Sequence, residues 1–176
     1  MDWVTHVALG ALIGDWMMRK RLGNWALAWG ALFGILPDLD VFFYPLLDTA
    51  QRLAWHGGPS HSIAIIALGS YGIGRGLEKL WKREKITRSE AGWFVFVLWV
   101  SHVLLDCLTV EGADFLWPIL NQRISFNLLN QIDFLFTAPL VIAAISLALV
   151  RSPVAKKSRS KKRHRPRNAT GFFIGA

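Results

Sequence analysis

Four of the five histidines, His6, His56, His61 and His102, fall in or beside long apolar segments, and so do Asp38, Asp40 and Asp106. His102 and Asp106 are spaced i, i+4, so on a helix they project from one face a turn apart. An imidazole and a carboxylate placed in this way can bind one cation together, or the carboxylate can orient the imidazole from behind. An ionised aspartate in hydrocarbon costs several kcal/mol unless it is paired or faces water, so Asp106 demands a partner. A divalent metal meets that demand, and so does a plain His–Asp ion pair. Taken singly, these residues have ordinary readings as hydrogen-bonded packing histidines or as aspartates in turns, the latter suggested by Pro37-Asp38. Taken together, four histidines and three aspartates with few competing roles favour a metal site.

Mixed imidazole and carboxylate donors suit zinc first, with manganese or iron as alternatives. The single cysteine, Cys107, excludes a Cys-rich zinc module and an intrachain disulfide, and reads as a small packing residue. The candidate metal ligands are His6, Asp38, Asp40, His61, His102 and Asp106. Asp40 and Asp106 are also the candidate catalytic carboxylates, suited to shuttling a proton for a metal-activated water. His56, Ser60 and Thr109 are expected to support ligands or to touch substrate.

Five apolar segments must position these groups: residues 3–18, 24–36, 60–77, 91–108 and 134–150. The last three approach the roughly 20 residues that a spanning helix needs, whereas the first two are short. The expected fold is therefore all-α, a polytopic transmembrane helical bundle of about five segments in residues 1–150. Residues 151–176 are expected to form a disordered basic tail. Gly10, Gly14, Gly30, Gly34, Gly69 and Gly72 recur in pairs about one helical turn apart, which permits close helix packing in lipid.

The charge is concentrated. Of the 20 Lys and Arg residues that give the chain its formal charge of +8, nine lie in the tail. Six more lie in 75–88, and another cluster spans residues 19–21. Basic loops stay cytoplasmic, and a five-crossing path puts all three clusters, the C-terminus included, on that side. His6, Asp38, Asp40, His56, His61, His102 and Asp106 then converge on the opposite side. The body without its tail is nearly neutral, which argues against nucleic-acid binding by the folded part. The tail reads as a topogenic segment that binds anionic lipid headgroups.

Asp2 stands where a signal peptide would be basic and no small-residue cleavage site follows, so the first apolar segment is expected to be retained. Asp15 is accounted for by Arg19 four residues on, and Asp133 by a helix cap. Glu111 and Asp114 read as solvated loop, and Trp3, Trp25, Trp93 and Trp117 as interfacial anchors.

Several motifs resemble one family: Thr5-His6, Leu36-Pro37-Asp38-Leu39-Asp40, His56-Gly-Gly-Pro-Ser-His61-Ser62 and Ser101-His102-Val-Leu-Leu-Asp106-Cys-Leu-Thr109, trailed by Trp117-Pro118. Their order resembles the YdjM-like family of inner-membrane metal-dependent hydrolases, one member of which gave it the label LexA-binding. The resemblance covers roughly residues 1–150. Where the family usually has Arg after the first histidine of the third motif and Thr before the second, this chain has Gly57 and Ser60. It lacks that basic side chain and keeps a hydroxyl. A fainter similarity to zinc-dependent phospholipase C enzymes would imply phosphoester hydrolysis. The resemblance thus implies a membrane-bound hydrolase of an amphiphilic ester or phosphoester. The competing expectation is a non-enzymatic transporter, metal sensor or partner-recruiting anchor.

Overall fold

The computed structural model describes residues 1–49, 51–52 and 56–150, and the basic tail lies outside the described residues. Helix α1 spans Trp3–Leu22, α2 Trp25–Gly34, α3 Ile63–Leu80, α4 Arg88–Leu108 and α5 Phe134–Leu149. They follow the five apolar segments closely. No strand forms among the described residues, only two isolated β-bridges, Thr109 with Leu129 and Ala113 with Ile124.

The ends of these helices are written in local chemistry. Asp2 caps α1 by accepting the Thr5 amide at 3.0 Å, and Gly23 at φ 61° ends it in a conformation that side chains disfavour. Ser62 caps α3, and Thr87 with Glu90 forms a reciprocal capping box at the start of α4. Asp133 caps α5, as expected, by accepting the Phe136 amide at 3.1 Å. Beyond α2, Pro37 cannot supply the amide that would extend the helix. The chain instead tightens into 3₁₀ turns over Leu36–Leu46, bent by 45° from α2.

Helices α1 and α2 touch through backbone. A Cβ added at Gly10 would lie 2.5 Å from the Gly30 carbonyl oxygen, and one at Gly14 would lie 2.5 Å from Gly30 Cα. At Gly34 it would lie 2.8 Å from the His6 carbonyl oxygen. Two Gly-x-x-x-Gly faces therefore interlock, and His6 and Asp38 sit one turn beyond the contact on their respective chains. Helix α4 packs beside this pair, burying Phe94, Val95 and Leu98 against Phe33 and Trp81. Nearer its C-terminus, Val103 and Cys107 pack with Ile66 of α3.

The bundle has two chemically distinct ends. At one, Arg21 binds the Glu90 carboxylate at 3.0 Å and the Lys85 carbonyl at 3.1 Å, joining the basic end of α1 to the loop before α4. Arg19 there holds Asp15 through two bonds of 2.8 Å, the pairing expected from their spacing. At the other end, the connector 109–133 folds over the C-terminus of α4, with the amides of Phe126 and Leu128 donating to the carbonyls of Cys107 and Leu108.

Among the described residues, one helix, Arg88–Leu108, is long and apolar enough to cross a membrane. The bent pair formed by α2 and Leu36–Leu46 is a second if it counts as one crossing. The expectation of about five crossings therefore goes beyond these helices. Helix α1 carries Asp15 and the basic run 19–21, α3 carries Arg75, Glu78 and Lys79, and α5 has only 16 residues. Apolar side chains nevertheless cover the outside, including Trp16, Trp25, Phe134 and Leu135, each more than two-thirds exposed.

The glycine contact gives a direct test. Gly14→Leu should lower stability by about 1–3 kcal/mol, the usual cost of overpacking, because backbone occupies the space the side chain needs. Gly72→Ala, where nothing lies within 4 Å, should be neutral or slightly stabilising. Thermal unfolding in detergent measures both.

Candidate metal centre

The fold brings Asp38, His61, His102 and Asp106 together from three stretches of chain, all four buried. One ligand atom from each lies within 4.8 Å of the others. Asp38 comes from the 3₁₀ turns after α2, His61 from the turn before α3, and His102 and Asp106 from adjacent turns of one face of α4.

His102 is fixed first. Its Nδ1 lies 2.7 Å from the Gly34 carbonyl oxygen, which can only accept, so Nδ1 carries the proton. When the ring is neutral, Nε2 is then a lone-pair donor pointing into the cluster. It lies 3.2 Å from Asp38 Oδ1, 3.1 Å from Asp106 Oδ2 and 3.3 Å from His61 Nε2. His61 Nδ1 lies 2.9 Å from Ser60 Oγ, a hydroxyl that can donate or accept, and its Nε2 lies 3.5 Å from both Asp38 Oδ1 and Asp106 Oδ2. Nitrogens of two imidazoles and oxygens of two carboxylates thus face a common point.

Such an arrangement repels itself unless positive charge lies among the donors, supplied by protons on the imidazoles or by one divalent ion. Ligand distances of about 2.0–2.1 Å around a tetrahedral ion set neighbouring donors about 3.3 Å apart. Five of the six separations in the cluster run from 3.1 to 3.5 Å, and all lie within 4.8 Å. The donor set fits a divalent ion, and two carboxylates balance its charge. The cluster can hold a metal; its identity is left open by a set that zinc, manganese and iron all accept.

The remaining candidate residues stand around these four. His6 Nε2 is 3.1 Å from Asp106 Oδ1, the oxygen turned away from His61 and His102, and its ring stacks on His102 with centroids 3.7 Å apart. Its Nδ1 is buried without a hydrogen-bond partner. The Met1 amino nitrogen also meets Asp106 Oδ1, at 2.6 Å. Asp40 is buried outside the four, with His56 Nδ1 3.5 Å from its Oδ1 and neither carboxylate oxygen hydrogen-bonded. That carboxylate raises the pKa of His56 above the ordinary imidazole value despite partial burial. Ser60 reaches His61, whereas the buried Thr109 hydroxyl donates to the Asp106 carbonyl at 2.8 Å and closes the end of α4.

Two contributors escape a reading by residue type. The Gly34 carbonyl that orients His102 is a backbone group, and its only trace in the sequence is a glycine that lets helices approach. Arg123, whose guanidinium donates to the His56 carbonyl, lies in the connector outside the motifs.

A family model for YdjM inner membrane proteins matches residues 1–174. The match runs beyond the resemblance over 1–150 and takes in most of the basic tail. No curated protein and no solved structure matches the chain.

Alanine at Asp38, His61, His102 or Asp106 should abolish stoichiometric metal in the purified protein, measured by elemental analysis. Ser60→Ala, which removes only the group behind His61, should weaken metal affinity by about 10–100-fold in a chelator competition.

Proposed function

The chain belongs to the YdjM inner membrane protein family, and from that premise we propose that it is a membrane-bound, metal-dependent hydrolase of an ester or phosphoester in an amphiphilic substrate. The observation that carries this reading is the buried convergence of Asp38, His61, His102 and Asp106. A divalent ion bound there supplies Lewis acidity and the means to activate water near neutral pH.

The chain's own residues divide the remaining work. Asp38, His61, His102 and Asp106 hold the ion, while the Gly34 carbonyl and Ser60 fix the two imidazoles. His6 and the Met1 amine engage the far oxygen of Asp106 and keep its other oxygen turned inward. Asp40 would take up the proton released when water attacks, being a buried carboxylate with free lone pairs next to His56, which lines the cleft at the cluster. His56 holds Asp40 from its open side and stabilises its charge. A small cleft lined by Asp38, His56, His61, Asp106 and Arg123, among others, has about 10 Å³ of free space, room for one water. The substrate's scissile group must therefore enter from the surface while its apolar part stays in lipid.

In the membrane, the basic end of the bundle and the tail face the cytoplasm, and the metal centre opens on the other side. The polarity of the bundle supports this, since Arg19–Arg21 and the 75–88 cluster lie at the end opposite the centre. The basic tail then meets anionic headgroups. A non-enzymatic transporter is the competing reading, favoured by the break between α2 and Leu36–Leu46.

Activity against a panel of lipid esters and phosphoesters, assayed beside metal content, separates the two. Asp40→Asn should keep its metal and lose about 10²–10⁴-fold in turnover, the usual worth of general acid–base catalysis. A well-folded wild type that holds no metal after supplementation would sink the hydrolase reading.

A further inference from the structure

A second cavity lies away from the metal centre, between α3 and α4, with a volume of about 500 Å³. Ala67, Gly92, Trp93 and Phe96 give it apolar walls, and Ser70, Ser89 and Arg88 give it polar groups at one end. Gly74 and Gly92 bring the two helices together at one end of the cavity: a Cβ on Gly74 would lie 2.9 Å from Gly92 Cα. Along α4, Arg88 is 14 residues from His102, about 21 Å of helix. This site therefore owes nothing to the ligand cluster.

Its polar groups are underused. Ser70 is only 3% exposed, yet its hydroxyl has no hydrogen-bond partner. Arg88 Nη2 is likewise buried without one, while the guanidinium lies 3.8 Å over the Tyr71 ring. Buried polar atoms in this state cost free energy that a bound acceptor recovers. No carboxylate lines the cavity, and Glu90, the nearest acid in sequence, is engaged by Arg21 and Thr87. An anion thus fits the polar end, and an apolar chain fits the walls.

We infer that the groove between α3 and α4 binds an anionic phospholipid, with its phosphate on Arg88, Ser70 and Ser89 and an acyl chain along Ala67, Trp93 and Phe96. Charge complementarity selects this occupant. Arg88 closes the 75–88 cluster, the part of the bundle expected at the cytoplasmic face, where anionic lipids face basic pockets between helices. Arg75 adds a second cation 5.3 Å from the Tyr71 ring. The inference rests on the membrane setting of the family and is independent of hydrolysis.

The test uses the full chain, purified in mild detergent, stripped of lipid and offered phosphatidylglycerol or phosphatidylcholine with identical acyl chains. Native mass spectrometry reads the bound lipid, with metal content and melting temperature as folding controls. The wild type should retain about one phosphatidylglycerol per chain and prefer it to phosphatidylcholine. Arg88→Gln should reduce phosphatidylglycerol affinity by about tenfold or more, the effect of losing a hydrogen bond to a charged group, and reduce phosphatidylcholine affinity less, because the choline cation already opposes binding beside Arg88. Ala67→Phe, which narrows the groove from its exposed side, should weaken both. Equal binding of the two lipids by wild type, or unchanged phosphatidylglycerol binding by folded Arg88→Gln, would overturn the assignment.

Discussion

Close contact between the backbones of α1 and α2 is the constraint on which the rest of the structure depends. Gly10 and Gly14 face Gly30 and Gly34 with no room for a side chain at any of the four positions. In lipid, where apolar surfaces gain nothing by hiding from hydrocarbon, such close packing is a main source of helix association. It also sets geometry. The same Gly34 whose Cα lies against Gly10 presents its carbonyl to His102, so the helix contact and the orientation of a ligand are one feature. His6 lies a turn before that contact and stacks on the same imidazole.

Burying two aspartates and three histidines at one end of a small bundle is stable only if charge and hydrogen bonds are shared among them. Asp106 shows how this is done. One oxygen faces His61 and His102, and the other takes His6 and the Met1 amine. Removing any one member leaves the others short of a partner in a low-dielectric setting. The cluster is therefore both a site and a structural knot, which ties α1, the turns after α2, the turn before α3 and the end of α4. Hydrophobic contacts such as Phe33 with Phe94 then fill the space between the helices.

The two ends of α4 serve different chemistry. Its C-terminal turns carry His102 and Asp106 into the bundle, whereas its N-terminal turns face a groove with α3 and present Arg88. A helix of 21 residues separates the two environments by nearly its full length. This keeps the groove's guanidinium from pairing with the carboxylates in place of a metal, and it keeps the candidate metal centre clear of the basic loop.

The sequence by itself determined where the helices run and which polar residues stand in apolar surroundings. Apolar runs, Asp133 as a cap and Pro37 at the end of the second run are local signals, because hydropathy and capping act within a few residues. The caps Asp2, Ser62 and Thr87 became visible only in the structure. The i, i+4 spacing of His102 and Asp106 is equally local, so their shared face was readable. Tertiary structure decided the rest. It put Asp40 beside His56 rather than among the four, joined His6 to the far oxygen of Asp106, and continued the chain past Pro37 in 3₁₀ turns instead of an open linker. Which of several equally suitable donors share one point depends on how helices cross. That crossing is set by glycines distant in sequence from the ligands, so no local pattern of residue types encodes it.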